Sequence, residues 1–323
     1  MFLEEETLDD LLHSVFDRLS QVPVKVNASK GITNESIGNL LVLKNPRARL
    51  SRSETRGKAF SAFGELLWYC SKSNDLKFIE YYIPNYKDFV EKDTTGEDII
   101  YGGYGPRLFN MRGQNQIENI LSLLKRKPTS RRAVIQIFDA DDISQDHKDI
   151  PCTCTLQFFI REEKVCLYTS MRSNDAFLGL PHDIFTFTMI QEIIARSLKR
   201  DIGYYYHSVG SLHVYEKDLK SIKAYLDEGW QGTKQFMPEM PINPWDSIEE
   251  VLKFESMIRK NELFDLSESL LDDYWKDIIQ LLRIHTFFKQ NEIESINFTS
   301  QGIKNKIYLT YIKEKIRSKN GQN

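Results

Sequence analysis

Apolar residues recur at helical spacing in several segments of the chain. Residues 8–19 carry them behind an acidic start, and residues 54–69 combine them with aromatic residues before polar stop signals. Between these two, residues 21–53 mix short apolar runs with Pro, Asn and Gly, and predict strand and loop. Residues 184–198 are apolar almost all round for three turns, which predicts a helix buried in the middle of the domain. Residues 216–228 predict an amphipathic surface helix.

Other segments have the composition of strands. Residues 133–138 are rich in β-branched side chains, and residues 155–160 and 165–170 predict a β-hairpin that turns at Glu162-Glu163. Residues 204–215 predict a long strand. The chain therefore mixes helices with strands that are close in sequence.

The composition changes after Pro244. From there the sequence is charged and Leu-rich, and residues 267–291 and 307–319 predict helices. We find no internal repeat and no low-complexity tract. With 323 residues and 41% hydrophobic content, the chain can bury a large core.

Charge and cysteine content narrow the function classes. Lys and Arg number 43 against 46 Asp and Glu, a net charge of -3, so no global positive field would recruit nucleic acid or an anionic membrane. Any anionic ligand must then be held by a local cluster of arginines. The four cysteines show no zinc-type pairing, the first residues are acidic where a secretion signal is basic, and no apolar run approaches ~18 residues. We expect a soluble protein in a reducing, cytoplasmic setting.

Pro151-Cys152 is the first candidate for chemistry. A cysteine fixed by a preceding proline at the mouth of a strand can present its thiol to a ligand. The alternative is that Cys152 is simply a small buried hydrophobic residue.

Residues 171–185 carry charged groups at the entry to the predicted core helix. Arg172 and Ser173 offer phosphate-binding groups, while Asp175 and Asp183 are carboxylates in an otherwise apolar stretch. A structural alternative is a capped helix start, with Asp183 as the N-cap and Arg172 as its ion-pair partner.

These residues form part of an ordered set of motifs that resembles the thymidylate synthase superfamily. The resemblance covers roughly residues 30 to 220 and includes upstream matches at Glu65-Leu66-Leu67-Trp68, Tyr104-Gly105 and Ser130-Arg131-Arg132. The central motifs are Pro151-Cys152, Leu156-Gln157-Phe158, Arg172-Ser173-Asn174-Asp175, Gly179-Leu180-Pro181 and His213-Val214-Tyr215.

The resemblance implies a fold, a reaction and a partner. The fold would be an α+β, three-layer arrangement with a large mixed sheet at the interface of a homodimer. Residues 1–240 would form the catalytic domain, and residues 241–323 a helical C-terminal extension packed on the same domain. The thiolate of Cys152 would add to C6 of a pyrimidine nucleoside monophosphate, and C5 would then take a one-carbon unit from the co-substrate 5,10-methylenetetrahydrofolate.

The resemblance also assigns the nucleotide-binding residues. Arg172 and Ser173 would bind the phosphate, joined by Arg131 and Arg132 reaching over from the other subunit. The nearby arginine should also favour the thiolate of Cys152. The sugar 3′-hydroxyl would be bound by two side chains on one face of a strand, His213 and Tyr215.

Around the base and the folate, the resemblance assigns further roles. Glu65 would organise a water network, Tyr104 would assist removal of the C5 proton, and Asp175 would contact both folate and base. Tyr86, which stands where a Trp is expected, and Gly179 would line the folate site. Taken singly, each of these residues also fits a structural role in the core or in an ion pair.

The most informative departure from the synthase pattern is His182-Asp183, where thymidylate synthases carry Phe-Asn. The Asn amide can donate to O4 and accept from N3-H of uracil. A carboxylate removes the donor and instead suits the 4-amino group of cytosine with a protonated N3, or donates to N3 when it is itself protonated. Asp at this position is similar to the cytidylate and deoxycytidylate hydroxymethylases of the superfamily.

Other departures from the synthase pattern favour the same interpretation, a hydroxymethylase. Thr153 follows the cysteine where His is usual, and the chain ends IRSKNGQN without the apolar tail that closes over folate in synthases. A more open site would let water add to the exocyclic methylene. Lys30 is a candidate for the N-terminal phosphate-binding group, whereas Arg47 and Arg49 are expected to lie on the following strand, outside the site.

We therefore expect CMP or dCMP 5-hydroxymethylation. Ala176 adjoins the sugar region and is a weak indication of room for a 2′-hydroxyl. The alternatives are thymidylate synthase itself and a non-catalytic nucleotide-binding relative. The presence together of Cys152, Glu65, Tyr104 and Arg172 argues against the last.

Overall fold

The computed structural model describes residues 1–22, 25–28, 30–53, 59–232 and 235–320. Within this part of the chain, seven strands form one mixed sheet, in the order β1-β3-β9-β8-β7-β6 with β2 added to one end of β3. The β1–β3 and β8–β9 pairs are parallel and the others are antiparallel. The strands are β1 (Phe2–Glu5), β2 (Lys25–Ala28), β3 (Gly31–Leu43), β6 (Val134–Gln136), β7 (Thr153–Arg161), β8 (Lys164–Asp175) and β9 (Asp201–Tyr215); β4 (Glu91–Lys92) and β5 (Asp98–Ile99) form a separate small pair.

The helices cover one face of the sheet and extend beyond it. The sheet-packed helices are α1 (Leu8–Ser20) and α6 (Gly179–Ser197), and α2 (Ala59–Cys70) lies against α6. The remaining helices are α3 (Leu76–Tyr82), α4 (Tyr104–Phe109), α5 (Gln116–Arg126), α7 (Leu219–Asp227), α8 (Pro244–Arg259), α9 (Asp273–Gln290), α10 (Ile293–Gln301) and α11 (Ile307–Asn320). The mixture confirms the predicted α+β class.

The β7–β8 hairpin forms as the sequence predicts. Glu162 and Glu163 both have positive φ values, 49° and 60°, and form a two-residue turn whose twist suits the flanking strands. Buried residues alternate along both strands, so that Leu156, Phe158 and Leu167 face the helices. This alternation fixes which side chains can reach the end of the sheet where the hairpin opens.

Helix α6 occupies the centre of the core. Fourteen of its side chains are buried, which agrees with its almost continuous apolar character. It begins at Gly179, five residues before the predicted start, because Gly179-Leu180-Pro181 forms its first turn rather than a preceding loop. Asp183 therefore lies inside the helix, in its second turn.

The C-terminal helices share this core. Helix α8 contacts α6, and α9 contacts α2 and α8. Trp275 of α9 and Tyr308 of α11 are among the largest fully buried side chains. The division at residue 240 stays a prediction, since the hydrophobic cluster runs through both parts.

Arg47 and Arg49 follow β3 in a loop, so the expectation that they lie on the next strand is wrong. Both pair with the buried carboxylate of Glu192 on α6, and Arg47 also contacts Asp201 at 2.7 Å. Burial alone would raise the pKa of the Glu192 carboxyl, but the two arginines hold that pKa below its usual range. Their role is to fix α6 against the loop, outside the candidate site.

Two other expectations lie partly outside the described residues. The first part of the predicted helix 54–69 and the last three residues of the terminal sequence are not described. None of the helices in the described part of the chain combines the length and apolar character needed to span a bilayer.

Candidate functional site

Cys152 lies immediately before β7, at the end of the sheet where the hairpin opens, and is half-buried. Arg172 on the neighbouring strand holds this segment in place. Its backbone N–H donates to Cys152 O at 2.8 Å, and its guanidinium donates to the carbonyls of Pro151 at 3.0 Å and Ile150 at 2.9 Å. The arginine thus fixes the backbone that presents the thiol.

Burial raises the pKa of the Cys152 thiol to about 11. Arg172 and Lys30 lower this pKa, whereas Asp183 and Asp149 raise it further. The arginine thus favours the thiolate of Cys152, as expected, while burial has the larger effect on this pKa in the opposite direction.

Tyr104, at the start of α4, contacts the residue after the cysteine. Its hydroxyl donates to Thr153 Oγ1 at 3.0 Å and accepts from the Thr153 backbone N–H at 3.3 Å. The ring stacks on Tyr69 with centroids 4.9 Å apart. Thr153, which stands where His is usual in the resembling family, therefore anchors Tyr104 beside Cys152.

Glu65 on α2 is joined to both Tyr86 and His182. The Tyr86 hydroxyl donates to Glu65 Oε1 at 2.8 Å, and His182 Nδ1 lies 3.2 Å from Glu65 Oε2. Tyr86 packs edge-on against Trp68, with ring centroids 5.4 Å apart. His182 was noted in the sequence only as a departure, and the structure makes it a direct partner of Glu65.

Asp183 projects from the second turn of α6 and accepts a hydrogen bond from Asn174 Nδ2 to Oδ2 at 2.7 Å. Burial, followed by the charge of Glu65, raises the pKa of Asp183 to about 8, and the Asn174 bond only partly opposes the rise. The alternative of a capped helix start is wrong on both counts. Asp183 is four residues inside the helix, and the guanidinium of Arg172 bonds to carbonyl oxygens instead.

Gly179 and Asp175 shape the turn between β8 and α6. A Cβ at Gly179 would lie 2.9 Å from Asn174 Nδ2 and 3.5 Å from Asp183 Oδ2. Glycine is therefore what allows the Asn174–Asp183 contact. The Asp175 carboxylate accepts from the backbone N–H groups of Phe177 at 2.8 Å and Leu178 at 3.1 Å through Oδ1.

His213, Tyr215 and Ser173 lie on the adjacent strands β8 and β9. Asp175 is paired with His213, and Ser173 with Ser211. The His213 and Tyr215 rings meet at right angles with centroids 5.3 Å apart, as expected for side chains two apart on one strand face. Both are half-buried, so each keeps an accessible side.

Arg131 and Arg132 are not brought to Cys152 within one chain. They lie exposed just before β6, and the Arg131 carbonyl accepts from Gln157 Nε2 at 2.9 Å. Gln157 is five residues beyond Cys152, about 17 Å along an extended strand. That these arginines serve another subunit stays a prediction.

Lys30 and Asp149 also belong to the surroundings of Cys152. Both change the pKa of the thiol, in opposite directions. Burial raises the pKa of Asp149, and Lys30, Arg107 and Arg172 oppose the rise. Lys30 Nζ lies 4.4 Å from the centroid of the Phe89 ring. Asp149 was missed in the sequence because nothing in its local pattern distinguishes it from a surface aspartate.

A row of buried polar side chains lies behind Asp183. His207 Nε2 is 3.0 Å from Asn174 Oδ1, and the Tyr205 hydroxyl is 2.7 Å from His207 Nδ1. His207 and Tyr205 are fully buried on β9. They were not predicted as site residues, although polar residues alternating on the core face of a strand were a usable signal.

The fold and this geometry define a class of α+β proteins with a cysteine-centred site at one end of a mixed sheet. The family described as "Thymidylate synthase" matches residues 54–263. The chain therefore belongs to the thymidylate synthase family.

Individual relatives have the same name. The chain is 26% identical over 188 residues to "Thymidylate synthase" of Mycoplasma genitalium, a match that covers 50% of this chain and 65% of the relative. It is 29% identical over 189 residues to "Thymidylate synthase" of Bacillus phage phi3T, a match that covers 57% of this chain and 66% of the relative. It is 28% identical over 180 residues to "Thymidylate synthase" of Francisella philomiragia, with 51% and 65% covered. The matches thus span slightly less than two thirds of each relative.

Proposed function

We propose that this chain is an enzyme that transfers a one-carbon unit from 5,10-methylenetetrahydrofolate to C5 of a pyrimidine nucleoside 5′-monophosphate, and that its product is a 5-hydroxymethylcytidylate. Family membership supports the reaction class. The contact between Asp183 and Asn174 is the observation that carries the choice of base.

Cys152 would supply the nucleophile. Its sulfur forms a bond to C6 while the C5–C6 π electrons move to C5, which becomes the carbon that attacks the one-carbon unit. Because the thiol has a pKa of about 11 in the free protein, its proton must pass to a neighbouring base as the S–C6 bond forms. Folate, when bound, supplies the one-carbon unit at the oxidation level of formaldehyde.

Asp183 would read the base. Asn174 donates to Oδ2, so that this oxygen is fixed as an acceptor and Oδ1 is the oxygen able to hold the proton. Such a carboxyl complements the 4-amino group and N3 of cytosine, and sharing its proton with N3 makes C6 more electrophilic. A pKa of about 8 supports this role, since the proton is then transferable near neutral pH.

Glu65 and Tyr104 would handle the later proton transfers. Tyr104 lies beside the backbone of Cys152 through Thr153, a position from which it can assist loss of the C5 proton. Glu65, held by Tyr86 and His182, would orient the water that adds to the exocyclic methylene. Addition of that water to the methylene carbon, followed by cleavage of the S–C6 bond that restores the C5–C6 double bond and frees Cys152, would yield the hydroxymethyl group without a reductant.

The remaining residues would bind the substrates. Arg172 and Ser173 suit the phosphate, because the arginine is already held rigidly by two carbonyl bonds at the strand end. His213 and Tyr215 suit the sugar hydroxyl. Residues near Glu65 and just before α6 also fit the folate. The Tyr86 ring offers an aromatic surface beside Glu65, and Asp175 offers an oxygen, Oδ2, outside its two backbone bonds.

A homodimer is part of this proposal. The sheet face opposite α6 carries aromatic side chains that are half-buried or exposed, Phe159, Tyr168, Tyr204 and Tyr206. Arg131 lies exposed at the start of the edge strand β6 of the same sheet. Packing two such faces together would cover the aromatic residues and deliver Arg131 and its neighbour Arg132 to the phosphate site of the other copy.

Thymidylate synthase itself is the second candidate, supported by the names of the relatives. It requires Asp183 to accept uracil, which a protonated carboxyl can do by donating to O4 and accepting from N3-H. The candidates differ in the base that is turned over and in the group that is left on C5.

The test is folate-dependent release of tritium from C5 of labelled dCMP, CMP, dUMP and UMP, with Cys152→Ala as the matched control. We expect release from a cytidine nucleotide only when folate and Cys152 are both present. Release from dUMP alone would support the second candidate. If no nucleotide loses tritium, or if Cys152→Ala matches the natural protein, one-carbon transfer through Cys152 is wrong.

A further inference from the structure

A line of buried hydrogen bonds runs from Asp183 into the core of the sheet. Asn174 Nδ2 donates to Asp183 Oδ2 at 2.7 Å, His207 Nε2 lies 3.0 Å from Asn174 Oδ1, and the Tyr205 hydroxyl lies 2.7 Å from His207 Nδ1. Tyr205 and His207 have no exposed surface and Asn174 is 4% exposed. Water therefore has no access to exchange these partners.

The direction of the line follows from which atoms can donate. Asn174 Oδ1 can only accept, so His207 Nε2 must carry the ring proton, and Nδ1 must then accept from the Tyr205 hydroxyl. Burial lowers the pKa of His207 to about 3, so the ring holds one proton and a single tautomer satisfies both neighbours.

We propose that His207 is a positioning residue for base recognition, which holds the Asn174 amide with its NH2 group toward Asp183. This inference rests on the proposed function. Because the Asn174 amide then donates to Asp183 Oδ2, the carboxyl proton stays on Asp183 Oδ1, where N3 of cytosine can share it.

Loss of the His207 donor would change what Asp183 offers to the base. If the amide turned over, its oxygen would face Asp183, and the carboxyl proton would be drawn into a bond with that oxygen. The proton would no longer be available to the base, and the outer carboxyl oxygen would be an acceptor only. Cytidylate binding would weaken because N3 of cytosine would lose its donor, whereas uridylate would keep the hydrogen bond that its N3-H donates to the outer carboxyl oxygen.

The first part of the test measures the tautomer directly. In protein labelled with ¹⁵N at its six histidines, the His207 signal is identified by its absence in His207→Gln. We expect a neutral ring protonated at Nε2 throughout the neutral pH range. A ring protonated at Nδ1, or a doubly protonated ring, overturns the inference whatever the protein binds.

The second part measures dissociation constants of dCMP and dUMP by calorimetry without folate. We compare the natural protein with His207→Phe, which removes the donor, and His207→Gln, whose amide N–H can replace Nε2–H. Thr188→Val is the matched control, because Thr188 is a buried hydrogen-bonding residue on α6 whose hydroxyl donates to the Ile184 carbonyl. Melting temperatures establish that each variant is folded.

We expect His207→Phe to reduce the preference for dCMP over dUMP about tenfold, as for loss of a buried hydrogen-bond partner. His207→Gln should restore most of that preference, and Thr188→Val should leave it unchanged. An equal loss of affinity for both nucleotides in His207→Phe, or failure of Gln to restore the preference, overturns the positioning role. Preference for dUMP in the natural protein counts instead against the proposed function, and the tautomer measurement still tests the hydrogen-bonded line.

Discussion

Asp183 is subject to two opposing effects inside helix α6. It is held by a short hydrogen bond from Asn174, and burial raises its pKa to about 8. The bond favours the ionised form and burial disfavours it, and burial is the larger effect. The result is a carboxyl whose proton is exchangeable at physiological pH.

Replacing Asp183 by Asn tests base recognition. The amide restores both a donor and an acceptor, which suits O4 and N3-H of uracil and leaves the cytosine N3 without a proton to share. We expect kcat/KM for cytidylate to fall and that for dUMP to rise, shifting the ratio by about ten- to a hundredfold, as for other paired base contacts. Unchanged preference in steady-state assays of both nucleotides would show that Asp183 does not contact the base.

The raised pKa also predicts how stability depends on pH. The folded pKa of Asp183, about 8, lies above the ordinary value of 3.8, so the folded protein binds the proton more tightly than the unfolded chain between these values. The contribution of this proton to the free energy of unfolding is complete below pH 3.8 and is lost as pH rises to about 8. Asp183→Asn should lose this dependence, so that its melting temperature changes less than that of the natural protein between pH 6 and pH 9. Parallel melting curves across that window would contradict the raised pKa.

The turn from strand β8 into helix α6 sets the geometry around Asp183. Gly179 sits in the first turn of α6, where alanine would normally stabilise a helix by about 0.5–1 kcal/mol. A Cβ there would lie 2.9 Å from the Asn174 amide nitrogen. Helix propensity thus favours alanine at position 179, whereas the contact between Asn174 and Asp183 favours glycine.

Gly179→Ala should therefore impair activity more than stability. The added methyl must displace the Asn174 amide from Asp183, so we expect kcat/KM for cytidylate to fall about tenfold, as for the loss of a buried hydrogen bond. Gly232→Ala is the control, since the nearest atom to a Cβ there is Arg52 Nη1 at 3.9 Å. Full activity in Gly179→Ala, measured beside this control, would show that the contact is not needed.

The link between α6 and α2 predicts a role for His182. His182 Nδ1 lies 3.2 Å from Glu65 Oε2, and phenylalanine cannot replace this donor. We expect His182→Phe to lower kcat about tenfold with little change in the nucleotide KM, because Glu65 would lose one of the groups that orient it. A change confined to KM would contradict a role through Glu65. So would a kcat in His182→Gln that is no higher than the kcat in His182→Phe.

The sequence predicts the long elements well and the short ones poorly. Helix α1, the hairpin and β9 have periodic patterns long enough to be unambiguous. Helices α4 and α5 were not predicted, because six to eleven residues give a weak periodic signal and their stability comes from packing on neighbouring elements. The start of α6 was placed too late because a Gly-Leu-Pro sequence is compatible with both a turn and a first helical turn.

The same limit applies to the site. The motifs predict four site residues, Cys152, Glu65, Tyr104 and Asp183. Asp183 affects the pKa of both Cys152 and Tyr104, and Glu65 affects that of Asp183, so the four side chains lie near one another. His207 was not predicted, since its contact with Asn174 joins two strands far apart in sequence. Which buried polar groups meet is decided by strand register, and a single sequence does not specify that register.

The proposed homodimer can be tested by mixing two inactive variants of the protein. Arg131→Ala with Arg132→Ala should lack phosphate binding, and Cys152→Ala should lack the nucleophile. If the arginines cross the interface, random exchange of subunits forms mixed dimers in about half of cases, and each has one complete site. We expect activity to return to about a quarter of the natural level. No recovery after exchange, confirmed by sedimentation to have occurred, would contradict arginines donated between copies.

The mass of the nucleotide product tests the proposed hydroxymethylation of cytidylate most directly. The protein is incubated with 5,10-methylenetetrahydrofolate and each of dCMP, CMP, dUMP and UMP, and the nucleotides are analysed by mass spectrometry. We expect a gain of CH2O on a cytidine nucleotide with no dihydrofolate formed, because water rather than hydride completes the reaction. A gain of CH2 on dUMP, with dihydrofolate produced and the cytidine nucleotides unchanged, would contradict the proposed hydroxymethylation.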